Sequence, residues 1–243
     1  MNLELSSDQQ LLAETVRRFL AERAVAWVRT MLDDDRGVTD DVWSGLVELG
    51  VTDLLEAGDG GSMVDVGVVA MEMGRALFPG PWQSSAVGAA TLLPDLDDRM
   101  ATVAFDGLDL VADAAAADVV LMVSGQSVTA LENFDVEPVG TVDGTRKWGR
   151  IRPREGGRAL AEVDVALARD RVVAATVADG VGAAERPWSL RWPTPRTECS
   201  STGPSAASRP CSTSAQTCCN ASSWLGRPPT TPSGPATPAT TST

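Results

Sequence analysis

Histidine and tyrosine are missing from all 243 residues, and cysteine does not occur before Cys199. The four cysteines, Cys199, Cys211, Cys218 and Cys219, contain no Cys-x-x-Cys pair, and no histidine is present to complete a tetrahedral set, so no zinc site is expected. Asp33-Asp34-Asp35 is not followed by the Asp-x-Asp-x-Asp-Gly spacing of a calcium loop. Long apolar runs are missing too: no stretch of 18 apolar residues exists, which excludes a membrane-spanning helix. Met1–Gln10 lacks a basic segment followed by an apolar one, so no secretory leader is expected and the default is a cytoplasmic protein. Positive charge is scarce, with 20 Lys and Arg against 33 Asp and Glu. Four Arg and one Glu lie beyond residue 186, so residues 1–186 carry −16 against a net −13 for the whole chain. A body this acidic offers no basic face for phosphates, and nucleic acid is excluded as a partner.

What is present divides sharply at residue 187. From Pro187 to Thr243 there are 11 Ser, 11 Thr, 10 Pro and 4 Cys, 36 of 57 residues, with no Val, Ile, Phe or Asp. The stretch just before it, Val163–Val181, is rich in Val and Ala. Such a tail is expected to be disordered. One reading is a Ser/Thr/Pro stalk. The genetic code supports another, a change of reading frame. If each codon takes the last base of the previous residue and the first two of the present one, Cys219 can only become Leu, and Asn220 becomes Gln or a stop. Every Thr becomes Tyr, His, Asn or Asp. The local reading around Cys218–Trp224 is M/L/V-L-Q-R-V-E-L, an amphipathic helical pattern. With permitted codons, Pro187–Trp224 reads as a continuation of Gly180–Arg186, a turn at R-P-V-G, and a second helix. One base lost near the Arg186/Pro187 codons accounts for it, and the cysteines then carry no redox information.

Within residues 1–186 the periodicity changes twice. Ser6 and Ser7 ahead of Gln9 and Gln10 form a capping-box pattern, and Leu11, Leu12, Thr15, Val16, Phe19 and Leu20 recur on one helical face. After the charged loop Asp33–Gly37, a second helix is expected to start at Asp40 or Asp41 and to stop at Gly50. Gly58–Gly61 reads as a turn. Val66, Val69, Met73 and Leu77 make a third helical face ended by Pro79-Gly80-Pro81, and Trp82–Leu93 is expected to be a fourth helix. Thr102–Phe105, Val119–Val123, Val128–Leu131 and Lys147–Ile151 are short β-type runs punctuated by glycine. From Arg158 the helical pattern returns with Leu160, Val163, Leu167, Val173, Val177 and Val181.

Several of these segments resemble acyl-CoA dehydrogenases. Leu5-Ser-Ser-Asp-Gln-Gln-Leu-Leu followed by Val16-Arg-Arg-Phe-Leu-Ala-Glu-Arg23 resembles the family's first helix. Val42-Trp, Leu46, Glu48-Leu-Gly50-Val and Glu72-Met-Gly-Arg-Ala-Leu77 are similar to the next helices. Thr141-Val-Asp-Gly-Thr-Arg146 resembles a T-x-D-x-T-R stretch near the end of the family's β domain, and Val181-Gly-Ala-Ala-Glu-Arg186 the start of its C-terminal helical domain. The re-framed R-V-Q-F-x-R-P-V-G-S-F-Q is the most specific match. The resemblance implies an α+β chain: an N-terminal helical domain over 1–98, a small middle β-barrel or sandwich domain over 99–157, the first helix of a truncated C-terminal helical domain over 158–186, and an out-of-frame tail over 187–243. It implies FAD as cofactor, an acyl-CoA substrate, a homo- or hetero-oligomer, and removal of an α-proton by a glutamate with hydride transfer to the flavin, giving a trans-2-enoyl-CoA.

The chain departs from the family where the chemistry sits. The usual base belongs to the C-terminal domain. The usual flavin loop, T-E-P-x-x-G-S-D, is replaced by Thr102-Val-Ala-Phe-Asp-Gly107. No catalytic residue and no FAD-binding residue is therefore placed on a numbered position, and the printed chain is expected to be inactive. A non-catalytic partner subunit of a heteromeric acyl-CoA dehydrogenase is the alternative, and an acidic helical interaction protein with a Ser/Thr/Pro tail is the third. Of the individual residues, Gly60-Gly61 reads as a turn. Glu56, Asp59 and Asp65 read as a solvated acidic loop. Thr145 and Arg146 read as a turn cap or a contact to a neighbouring subunit, and Trp43, Trp82 and Trp148 as packing residues.

Overall fold

Ser6 and Gln9 start the first helix as their order suggests. The Gln9 amide N–H donates to Ser6 Oγ at 3.2 Å, and the Ser6 N–H donates to Gln9 Oε1 at 3.1 Å. A computed structural model describes residues 4–55, 61–94, 96–106 and 110–191, all within one unit spanning Met1–Thr194. Residues 58–60 of the expected turn at Gly58–Gly61, the acidic residues Glu56 and Asp59, and the Ser/Thr/Pro tail from Trp192 onward lie outside the described residues.

The helical part comprises α1 (Ser7–Asp33), α2 (Asp40–Glu48), α3 (Met63–Ala76) and α4, which winds as a π-helix over Gln83–Ala89 and tightens to an α turn over Ala90–Leu92. Thr39, not Asp40 or Asp41, is the N-cap of α2; its extended backbone precedes two acidic residues that favour the positive end of the helix dipole. Gly50 follows the C-cap with φ +66, the left-handed conformation that glycine enters without strain. Ser62 and Asp65 form a full capping box at the start of α3. Val66, Val69 and Met73 are buried as the periodicity predicts, but Leu77 is 41% exposed. Leu77 takes the left-handed conformation that ends α3, and its N–H and that of Phe78 satisfy the carbonyls of Gly74 and Met73. The chain end of the helix, and not the hydrophobic face, claims that residue.

Two sheets come after the helices. The first has strand order β1 (Ala101–Ala104), β3 (Val119–Ser124), β4 (Ser127–Leu131) and β7 (Arg158–Leu160), with β1 and β3 parallel and the rest antiparallel. The second is antiparallel, in the order β2 (Val111–Ala112), β6 (Trp148–Pro153) and β5 (Phe134–Val139). Alternation along β3 assigns its faces. Val119, Leu121 and Val123 pack toward α4 and α5, whereas Val120 joins Ala104, Val111 and Leu131 between the sheets. The expected runs at Thr102–Phe105, Val119–Val123, Val128–Leu131 and Lys147–Ile151 are strands within a residue or two. The pattern does not reveal β2, β5 and β7, and Arg158–Leu160 is a strand where helical periodicity points to a helix. Three residues fix no period, and pairing with Val128–Ala130 decides their conformation.

The last helix, α5 (Val165–Arg191), begins only after Asp164, whose carboxylate accepts the Leu167 N–H at 2.9 Å. Beside Val165 and Asp179, its buried positions are small residues: Ala168, Ala175 and Gly182, seven apart. α3 and α5 consequently cross almost backbone to backbone. A Cβ on Gly74 would lie 1.9 Å from the Asp179 carbonyl oxygen, and one on Gly182 would lie 1.9 Å from that of Met71. The apolar stripe of the sequence pattern turns outward, with Leu167, Val173, Val177 and Val181 between 41% and 62% exposed. Charged pairs reinforce the crossing. Glu72, nearly buried on α3, accepts from Arg17 of α1 at 2.7 and 2.9 Å and from Arg75 at 2.6 Å, and Arg75 also pairs with Glu185 of α5.

Candidate functional site

The π-helical winding of α4, the end of β1, the turn into β6 and the middle of α5 enclose a pocket of about 320 Å³. Gln83 and Ser84 face it from α4, Val103 and Phe105 from β1 and its exit, and Val172, Thr176 and Asp179 from α5. Asp113, Arg146, Lys147 and Trp148 close the remaining wall. The walls are mainly apolar with a few convergent polar groups, the composition of a small-molecule site. Ser85, next along α4, faces the other way: its hydroxyl accepts from the Ala101 N–H at 3.0 Å and fixes α4 against β1. π-helical winding recurs at functional sites, and here it separates the pocket-facing residues from the anchoring one.

Arg146 organises the charged side. Its Nη1 donates to the Phe78 carbonyl at 3.0 Å and its Nη2 to Asp179 Oδ2 at 2.7 Å, joining the Thr141–Lys147 loop to the end of α3 and to α5. Thr145 caps that loop, its N–H and hydroxyl both reaching Asp143 Oδ1, which holds the Asp143 carboxyl below its ordinary value. Thr145 is thus the turn residue its sequence suggests, while Arg146 is a wall of the pocket. Asp113 takes a left-handed backbone with φ 52 and donates its N–H to the Lys147 carbonyl at 2.8 Å. The residue keeps some accessible surface, but its carboxyl sits deep in protein, and burial pushes it up to about 7 against the opposing pull of Arg146. Asp179 is 8% exposed, and its second oxygen, Oδ1, has no hydrogen-bond partner among the described residues; nor does Gln83 Nε2.

Other residues weighed in the sequence have structural roles. Asp65 belongs to the capping box and also accepts from Gln9 Nε2 at 3.0 Å; the Ser62 hydroxyl lowers its carboxyl. A Cβ on Gly61 would lie 2.1 Å from the Leu54 carbonyl oxygen, which accounts for glycine there. Trp43 and Trp82 are buried and donate from Nε1 to the carbonyls of Asp98 and Val51 at 2.7 and 2.9 Å. Trp148 differs, being 36% exposed at the pocket. No group of three or more potential metal ligands occurs among the described residues. Among them also, no helix is long and apolar enough to cross a membrane. Gln83, Asp113 and Asp179 carry no sequence signal: each is a lone polar residue among Ala, Val, Gly and Ser, and only the fold brings them together.

A helical layer, two small sheets and a returning helix around such a pocket make up the fold of acyl-CoA dehydrogenases. Residues 6–94 match the family described as acyl-CoA dehydrogenase, N-terminal domain, and in this N-terminal part the chain belongs to that family. It is 31% identical over 196 residues to acyl-CoA dehydrogenase IpdE2 of Mycobacterium tuberculosis, a match covering 74% of this chain and 61% of that one. The chain thus spans about three fifths of the length of its curated relatives. The solved Tcur3481–Tcur3483 steroid ACAD G363A variant matches with a TM-score of 0.64 at 17% identity, over 75% of this chain and 65% of that one. The ChsE4–ChsE5 complex from Mycobacterium tuberculosis gives 0.63 at 17% identity, over 78% and 67%. PigA, solved with FAD and proline, gives 0.60 at 13% identity, over 78% and 68%.

The family is one that binds FAD. The described residues do not by themselves make a flavin cradle. At about 320 Å³ the pocket is at the low end of small-molecule sites, roughly 300–1,000 Å³, room for an acyl chain or a ring system and not for a dinucleotide.

Proposed function

We propose that this chain is the N-terminal and middle part of an acyl-CoA dehydrogenase whose C-terminal helical domain is displaced by a frame change at Arg186/Pro187. In the restored frame it oxidises an acyl-CoA to the trans-2-enoyl-CoA with FAD, as a cytoplasmic oligomer. As printed it is inactive. The observation that carries the reading is the outward valine face of α5: Leu167, Val173, Val177 and Val181 are apolar at helical spacing and exposed, on the helix that runs directly into the compositional break. In this reading the domains are 1–98, 99–157 and 158–186. Sequencing the gene across the codons for Val181–Leu190 tests it. A shifted frame that reads A-L-E-L-A-V-A-Y and runs on past Thr243 supports the proposal; an early stop in that frame refutes it.

A second reading is a non-catalytic partner subunit. The Thr102–Gly107 segment, which lacks the family's flavin-loop motif, favours it, and one structural neighbour is a two-component complex. A frame-restored chain expressed alone and with candidate partners separates the readings, because flavin and activity in the lone chain exclude a scaffold.

A further inference from the structure

Two aspartates line the pocket, and they differ in company. Asp179 has Arg146, whose Nη2 donates to its Oδ2 at 2.7 Å. The Asp113 carboxyl makes no hydrogen bond or close ion pair among the described residues. Arg146 is near enough to pull on it, but its guanidinium already donates to Asp179 and to the Phe78 carbonyl. The Asp113 oxygens are not shut off from the surface as Gln83 Nε2 and Asp179 Oδ1 are. Asp113 lines the pocket, so the cavity is where those oxygens meet solvent.

The backbone holds the residue in that place. Its N–H donates to the Lys147 carbonyl at 2.8 Å and its carbonyl accepts the Ala116 N–H at 3.0 Å. On either side, Val111 and Ala114 are buried between the sheets. The carboxyl is therefore the part of Asp113 left without a partner, beside the apolar wall of Phe105, Leu110 and Trp148. The charged groups around it are few. Arg146 and Lys147 come from the loop before β6 and Asp179 from α5, which also lays Arg169 over the Phe105 ring, 5.3 Å from its centroid. α4 and β1 bring Gln83, Ser84 and Val103, none of which titrates.

A ligand group that fills such a cavity displaces water from the carboxyl. An ionised carboxyl left in apolar contact without a partner is costly, and it takes up a proton instead. Burial already pushes Asp113 up to about 7, so near neutrality that proton comes at little cost. With two cations and two aspartates the wall favours neither sign of ligand charge, and the class it suits is an uncharged one.

We propose that the pocket takes an uncharged, mainly apolar ligand group together with one proton, which Asp113 binds as the ligand displaces water from its carboxyl. Affinity is then constant while free Asp113 is protonated and falls by up to about tenfold per pH unit once it ionises. The proposal deepens the acyl-CoA reading above and rests on it only for what the apolar group is attached to.

Bromocyclohexane, which carries no titrating group, tests the coupling in the 243-residue chain at about pH 5.5 and about pH 8.5. Its bromine quenches the fluorescence of Trp148 in the pocket wall, and Trp148→Phe locates the signal. The expected result is binding about tenfold or more weaker at the higher pH. Calorimetry just above neutrality, in two buffers of different protonation heat, should show uptake approaching one proton per ligand. Asp113→Asn, neutral throughout, should bind equally at both pH values without proton uptake. Should that variant not fold, proton uptake by the unaltered chain decides alone. Equal affinity at both pH values, absence of proton uptake, or a pH dependence that survives in Asp113→Asn overturns the proposal, as does failure of the fragment to bind. Cyclohexylacetyl-CoA tests the reading beneath it. A proton-coupled fragment with no thioester binding leaves the role of Asp113 standing and overturns the acyl-CoA reading. Thioester binding that Asp113→Asn leaves unchanged at both pH values overturns the coupling and leaves the acyl-CoA reading standing.

Discussion

Arg146 and Asp179 meet at 2.7 Å across the pocket wall, and the pair ties the loop before β6 to the middle of α5. The aspartate side chain is 11% exposed and the arginine 30%, so the pair is shielded on one side only. Arg146→Met removes the partner of Asp179 and also strands the Phe78 carbonyl. Breaking a buried pair by deleting one member costs about 3–5 kcal/mol, and the half-exposed arginine places this one near about 2–3 kcal/mol. Urea unfolding should show that loss, with Arg146→Lys intermediate because one ammonium cannot span both acceptors. An unchanged midpoint for Arg146→Met would show that the pair does not hold the wall.

Stability should fall as pH rises through the titration of Asp113. Its folded value of about 7 lies above the unfolded 3.8, so the folded state binds the extra proton between those values. Below about pH 4 both states are protonated and nothing is lost. Above about pH 7 the full penalty applies, roughly 2–4 kcal/mol for a shift of this size with partial solvent access. Asp113→Asn stays neutral and tolerates the left-handed backbone. The difference between the two proteins in urea midpoint should therefore widen in favour of the variant from pH 5 to pH 8. Parallel profiles would show that the carboxyl is not desolvated.

The α3–α5 crossing leaves no room for a methyl group at its closest points. Gly182→Ala places a Cβ 1.9 Å from the Met71 carbonyl oxygen, so the helices must separate. Overpacking of this kind costs about 1–3 kcal/mol or more. The expected signature is a lowered melting temperature. By contrast, Gly180→Ala meets nothing within 4 Å and should be neutral or slightly stabilising.

Charge placed on the outward face of α5 distinguishes the printed chain from a frame-restored one. Val173→Glu with Val177→Glu should reduce self-association of the 243-residue chain at unchanged unfolding midpoint, since both valines are more than half exposed. The same pair in a frame-restored chain should be destabilising by several kcal/mol, because the face is then covered. Light scattering and urea unfolding on the two backgrounds provide the measurements; a neutral result in the restored chain argues against the frame proposal.

How far the fold is legible in the sequence depends on whether a residue's role is local. The Ser6–Gln9 cap, the stop at Gly50 and the core of Val66, Val69 and Met73 depend on neighbours a few positions away, and the structure agrees with the pattern there. Leu77 and Arg158–Leu160 escape it because a left-handed terminus and a partner strand outweigh periodicity. α5 is a helix as the pattern requires. The pattern marks the valines as one apolar stripe and gives no sign of Ala168, Ala175 and Gly182, which close approach to α3 selects on size. The pocket residues are invisible in the sequence for a related reason. Nothing near Asp113 or Asp179 in the chain hints at Arg146, and burial and convergence are properties of the folded molecule alone.

The π-helical winding of Gln83–Ala89 makes one short segment serve two registers. Gln83 and Ser84 address the pocket while Ser85 and Val87 address strand and core. Removing a single residue there would restore the commoner helix and rotate the residues before the deletion by about 100° relative to those after it. The core could re-form around such a change, but the side chains that line the pocket would be aimed elsewhere. The site is consequently robust to most substitutions on α4 and exposed to changes of length, so specificity in this fold can be lost or recast by one codon without unfolding the protein that carries it.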